Sequence, residues 1–165
     1  MELVLDITFD PKAGLSDALV KVKGIDQRAQ ACQPILMRVQ EKVAQYHIDH
    51  FNQMIHPGNK KWVLKDSTIK KKRKKGSRFP ERPLIDTGEM QSLINDHKPK
   101  PSNQRMECGT TSPIAKIHHY GVPKGAMPGK PNYELPKRQF IGLTAEEITN
   151  IWRMIHAYVS RGNLY

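Results

Sequence analysis

The residues that most suggest chemistry form the run Leu84-Ile85-Asp86-Thr87-Gly88. An Asp-Thr-Gly tripeptide after two apolar residues is the active-site signature of aspartic proteases, whose chemistry needs two aspartates sharing one proton. One copy of the motif therefore demands a second lobe or a homodimer, in a fold that is nearly all β. The surroundings argue against that setting, because residues 89–94 read as helix and longer helical patterns flank them. Asp86, with Glu89 three positions on, instead spells a capping box that starts a short helix. On this reading Asp86 or Thr87 caps the helix and Gly88 permits a tight turn, with no catalysis required.

The other reactive side chains are equally sparing. His47 and His50 stand three apart on a helical pattern and His118 and His119 are adjacent. No HExxH or equivalent spacing joins them, so core or surface histidines are expected rather than metal ligands. Cys32 and Cys108 lie far apart without a CxxC pair, which predicts buried or half-buried free thiols. There is no local Ser-His-Asp or Cys-His motif and no phosphate-binding glycine loop. The sequence thus predicts no catalytic residue, no metal and no cofactor.

The chain carries a formal net charge of +11 over 165 residues. Residues 60–82 hold eleven Lys or Arg against the two acids Asp66 and Glu81, so most of the excess belongs to one segment. Its centre is Lys70, Lys71, Lys72, Arg73, Lys74 and Lys75, a run that repels itself and packs only with a partner. Such an arm could neutralise phosphates without reading sequence, with bases stacking on Trp62 or Phe79. Contact with an acidic protein neighbour is the alternative, and two aromatics do not make a stacking platform.

Several elements must position these groups. Residues 2–9 alternate, with Leu3, Leu5, Ile7 and Phe9 on one side, as a half-buried strand does. A short helix over 15–22 ends at Gly24. Residues 27–55 form the longest helical pattern, with Pro34 marking a kink or a late start. Residues 60–82 are a long basic arm with a helical hint at 66–75. Residues 105–109 and 138–143 read as strands and 113–120 as a helical turn closed by Gly121. Residues 121–136 are a Gly/Pro-rich loop. Thr144 and Glu147 form a second capping box, opening a helix with Ile148, Ile151, Trp152, Ile155 and Val159 on one face. The expected architecture is a single α+β domain over 1–165. In it a small antiparallel sheet packs with a long helix of the N-terminal half and a C-terminal helix, and Trp152 anchors that last helix on the sheet. No apolar run is long enough to span a membrane. The acidic start, Met1-Glu2-Leu3, does not resemble a secretory signal, so nothing directs the chain out of the cytoplasm.

Read in order, these segments resemble the phage virion-morphogenesis and tail-completion family of Mu-like and P2-like tailed phages and prophages. Trp62, Ser67-Thr68, the basic run and Leu84 through Met90 are similar to that family's W…T…K…L-x-x-T-G-x-L stretch. Cys108-Gly109-Thr110, Ile114 through His118, and Tyr120-Gly121 resemble its V-G-x…Y-A-x-I-H-Q-x-G. Pro136, Arg138, Phe140, Ile141 and Gly142 resemble its P-x-R-x-F-L-G. The likeness covers roughly residues 30–160, with Ile114 where Tyr is usual and His119 where Gln is common. It implies a structural, non-enzymatic subunit of the virion tail or neck, assembled in the host cytoplasm as a homo-oligomer, with six copies favoured. Implied partners are tail-tube and neck or connector proteins, with packaged DNA as a further contact of the arm. Arg138 is expected to pair with a carboxylate. The competing readings are a small basic DNA-binding protein and, behind it, a DTG-type protease.

Overall fold

A computed structural model of the chain describes residues 15–57, 61–85 and 89–164. Within them lie six helices: α1 (Leu15–Gln30), α2 (Gln33–Gln53), α3 (Asp66–Lys74), α4 (Glu89–Ser92), α5 (Pro113–Tyr120) and α6 (Ala145–Arg161). The expected strand over 2–9 and the cap at Asp86 lie outside the described residues.

The spine is α2. Ile35, Val39, Val43, Ala44, His47, His50 and Phe51 recur at helical spacing and are all buried, so one stripe of the helix faces the interior along its whole length of about 30 Å. Its start resolves the ambiguity at Pro34. The chain breaks at Ala31-Cys32 and a new helix begins, with proline in its first turn, where no amide donor is missed. It stops where Met54 turns left-handed, at φ 57°, and returns its N–H to the carbonyls of His50 and Phe51. Gly24 does not end α1, which continues to Gln30; one glycine costs about 1 kcal/mol in a helix, and its neighbours carry it through.

The α6 helix runs antiparallel to α2. Near its start, Glu147 Oε1 lies 3.0 Å from His50 Nε2. Near its end, Tyr158 joins Ile35, Val39 and Val43 in one apolar cluster, onto which Ile151, Met154, Ile155 and Val159 pack. The capping box at its start is complete: the Glu147 N–H donates to Thr144 Oγ1, and Glu147 Oε2 accepts from the Thr144 N–H at 2.7 Å. The stripe is rotated from the expected one, since Trp152 is 65% exposed and Ile148 43%. Trp152 therefore does not anchor α6 among the described residues.

The small antiparallel sheet does not form among the described residues. Among the described residues no strand forms, and pairing is limited to the isolated bridges Ile55–Lys61, His97–Gly109 and Val122–Leu135. The expected strand over 105–109 keeps only its last residue paired, through that second bridge. The expected strand over 138–143 shows why. Its amides are taken singly, Arg138 N–H by the His118 carbonyl at 3.0 Å, Gln139 N–H by His56 Nδ1 and Phe140 N–H by His119 Nδ1. A helix end and two imidazoles satisfy the donors a neighbouring strand would otherwise serve. The described architecture is therefore helical, with extended connections laid across the helices.

One end of α1 is fixed. Arg28 donates to the carbonyls of Val159 at 2.8 Å and Ser160 at 3.1 Å, and Tyr158 Oη donates to the Ala31 carbonyl. Toward its start the helix buries none of the side chains described, and Val20, Val22 and Ile25 stand open to solvent.

Candidate functional site

The segments singled out in the sequence converge at the Phe51 end of α2. Phe51, Trp62, Ile85, Met90, Ile94, Ala115 and Phe140 form one buried cluster. Phe51, Trp62 and Phe140 meet edge to face, with centroids 5.9 to 6.3 Å apart, the arrangement their ring quadrupoles favour. Trp62 is 7% exposed, so it cannot serve as a stacking surface for bases. Its segment is pulled inward by the hydrogen bond from the Trp62 N–H to the Met54 carbonyl, 2.7 Å.

Gly121 closes this region. It ends α5 at φ 74°, with its N–H on the Ile117 carbonyl. A Cβ there would sit 2.7 Å from the Leu135 carbonyl oxygen and 2.8 Å from the Lys137 nitrogen. Only glycine serves, on grounds of both backbone angle and space. Ser112 caps the other end of α5, its hydroxyl accepting from the Ala115 N–H.

The basic run is partly absorbed by the fold. Lys72 points inward, and its ammonium donates to the carbonyls of Phe79, Arg82 and Ile85 at 3.1, 2.8 and 2.7 Å. It thereby ties α3 to the connection that follows, and no feature of the run itself distinguishes it from its neighbours. Arg73 pairs with Glu81 at 2.6 Å on the surface. Lys70, Lys71, Lys74 and Lys75 remain exposed. The arm thus packs as a helix and a turn, where the charge run predicted no packing without a partner.

Between α3 and the motif cluster lies an open groove of about 1120 Å³. Its floor is apolar, made by Leu84, Met90, Leu93, Ile114 and Leu135, and one side carries Lys71, Lys74 and Lys75. Glu89 and Glu134 also reach it. Two further groups mark its wall. Arg138 is only 8% exposed, and among the described residues no carboxylate pairs with it; burial lowers its pKa. His118 has a buried Nδ1 with no partner, and burial, then the Arg138 charge, pushes its pKa below the ordinary histidine value. Leu84 holds φ 63° at the edge of the groove, an uncommon conformation for a branched side chain. The motif positions His118 and Arg138 and the basic arm therefore share one surface, while Asp86, Thr87 and Gly88 lie outside the described residues.

The remaining candidates separate. His47 is buried, its Nδ1 3.0 Å from Asn95 Oδ1, and Asn95 donates to the Ala44 carbonyl. Because Asn95 thus presents its oxygen, His47 Nδ1 carries the proton. Cys108 lies 3.3 Å from the same Asn95 oxygen, while Cys32 contacts the carbonyls of Arg28 and Ala29. Both are half-buried free thiols. Among the described residues no group of three or more His, Cys, Asp or Glu is placed to hold a metal ion.

The phage virion morphogenesis family matches residues 15–160. The chain belongs to that family. No curated protein and no solved structure matches it. Membership assigns the protein to the making of the phage particle. Among the described residues no helix is long and apolar enough to cross a membrane. The family match begins well before residue 30, where the ordered motifs start, because it takes in α1.

Proposed function

We propose that the protein is a tail-completion or tail-terminator subunit that acts at the head–tail junction or tail end by joining a homo-oligomeric ring, and that it turns over no substrate. The observation that carries this reading is the set of apolar surfaces the chain leaves uncovered. Val20 and Val22 on α1 and Trp152 on α6 are each more than half exposed. We read these large exposed apolar side chains as positions that neighbouring copies cover. The two faces differ, and unlike faces meeting head to tail form a ring where the rotation between copies closes and an open filament where it does not; the closed arrangement is the one proposed. Neighbouring tail-tube and neck proteins are the partners such a ring would contact, and six copies is the size the family resemblance favours.

Native mass spectrometry and sedimentation of the full chain, with imaging of the head–tail junction of intact particles, test this. The expected result is a closed ring with a fixed copy number at one end of the tail. A protein absent from the particle, or monomeric at all concentrations and within it, overturns the reading. DNA binding is the second reading, carried by exposed Lys70, Lys71, Lys74 and Lys75. It requires affinity for duplex DNA that falls steeply with salt.

A further inference from the structure

We propose that the groove beside α3 receives residues 2–10 of a neighbouring copy, so that each subunit is latched by the N-terminal segment of the next. This rests on the homo-oligomeric reading above.

The argument begins with the groove. An apolar floor of Leu84, Met90, Leu93, Ile114 and Leu135 lies under lysines of α3. A polyanion alone would leave that floor in water. An apolar ligand alone would strand the cations, above all Arg138, which is buried and has no carboxylate partner among the described residues. Burying a guanidinium without an anion is costly. The occupant that answers both demands is an extended peptide with an apolar face and carboxylates.

Residues 2–10 have that composition. Leu3, Leu5, Ile7 and Phe9 fall on one side of an extended chain, and Glu2, Asp6 and Asp10 supply three negative charges with no Lys or Arg among them. The segment lies outside the family match, which begins at residue 15. Its route also points to a neighbour. It joins the start of α1, while the end of α1 is the part docked on α6 through Arg28. With 1.5 Å per residue, the start lies about 20 Å from that anchor. Between them Val20 and Val22 are 69% and 61% exposed, so these two side chains do not pack against the body of their own chain.

The experiment uses the full chain with Phe9 replaced by a benzophenone amino acid, mixed with isotopically heavy wild-type chain and irradiated. The expected adducts join the light Phe9 position to heavy peptides containing Met90, Ile114 or Leu135. Asp6→Lys with Asp10→Lys should lower their yield about tenfold by removing two charge contacts, and the thermal midpoint of the isolated subunit reports folding separately. Adducts on those residues within the same chain overturn docking between copies. An oligomer whose adducts fall elsewhere overturns the docking and leaves the ring standing, whereas absence of self-association at every concentration overturns both. Short duplex DNA that protects Lys71, Lys74 and Lys75 in an assembled sample lacking groove adducts assigns the groove to nucleic acid instead.

Discussion

At the scale of single residues, the positions with least freedom are Gly121 and Phe140. Any side chain at Gly121 meets two backbone atoms of the 135–137 segment at under 3 Å, and backbone cannot swing aside as a side chain can. Gly121→Ala should destabilise the protein by about 2–4 kcal/mol, read from urea unfolding midpoints. Phe140 is fully buried between Phe51, Trp62 and the His119 ring. Phe140→Ala should cost about 3–5 kcal/mol, and a loss below about 1 kcal/mol would show that the aromatic cluster does not hold this end of α2. Gly121 was legible in the sequence, because a glycine after a short helix is a local signal, whereas Phe140 was singled out only through the family resemblance. The inward turn of Lys72 was not. Six successive cations look alike until the carbonyls that one of them caps are in place.

At the scale of elements, local chemistry was readable and pairing was not. The Thr144–Glu147 box, the helical turn over 113–120 closed by Gly121 and the α2 stripe follow from spacing within one turn or one helix, whereas the Ser112 cap emerged only from the structure. The sheet was misread because a strand exists only through its partner. The amides of Arg138, Gln139 and Phe140 found theirs on His118, His56 and His119, residues whose positions depend on the assembled fold. That substitution has a pH consequence. Burial lowers the pKa of His47, His118 and His119 below the ordinary value of 6.5. The unfolded chain then binds more protons than the folded one, so stability is fully present above pH 6.5 and falls as pH drops below it. Protonation would also put a hydrogen on His119 Nδ1, where the Phe140 N–H now donates. Unfolding midpoints measured from pH 7.5 to 5 should fall steadily, and a flat profile would show that these rings are accessible to solvent.

At the scale of the whole molecule, Val20, Val22 and Trp152 stay exposed, and the ring proposed above assigns them to contacts between copies. Trp152 stands exposed beside Arg153 and His156 on α6, away from the groove lined by α3. Trp152→Arg should leave the unfolding midpoint of the subunit within about 0.5 kcal/mol while weakening self-association at least about tenfold, as loss of an aromatic anchor does. Sedimentation across a concentration series separates the two effects. Equal association by both proteins would move the interface off α6. The helix face was visible in the sequence as an apolar stripe, but the stripe did not say which of its members would remain exposed.

One carboxylate ties the scales together. Glu147 uses one oxygen to hold the Thr144 amide and the other to meet His50 on α2. Starting α6 and seating it against the spine are therefore a single cooperative event, since the residue that caps the helix is fixed by the residue it docks on. Losses from Thr144→Ala and His50→Gln should not add. A double-mutant cycle should show a coupling of about 0.5–3 kcal/mol, and additivity would mean that α6 nucleates independently of its docking. With coupling, α6 has little reason to persist half-docked, and its exposed apolar face arrives only with the finished fold.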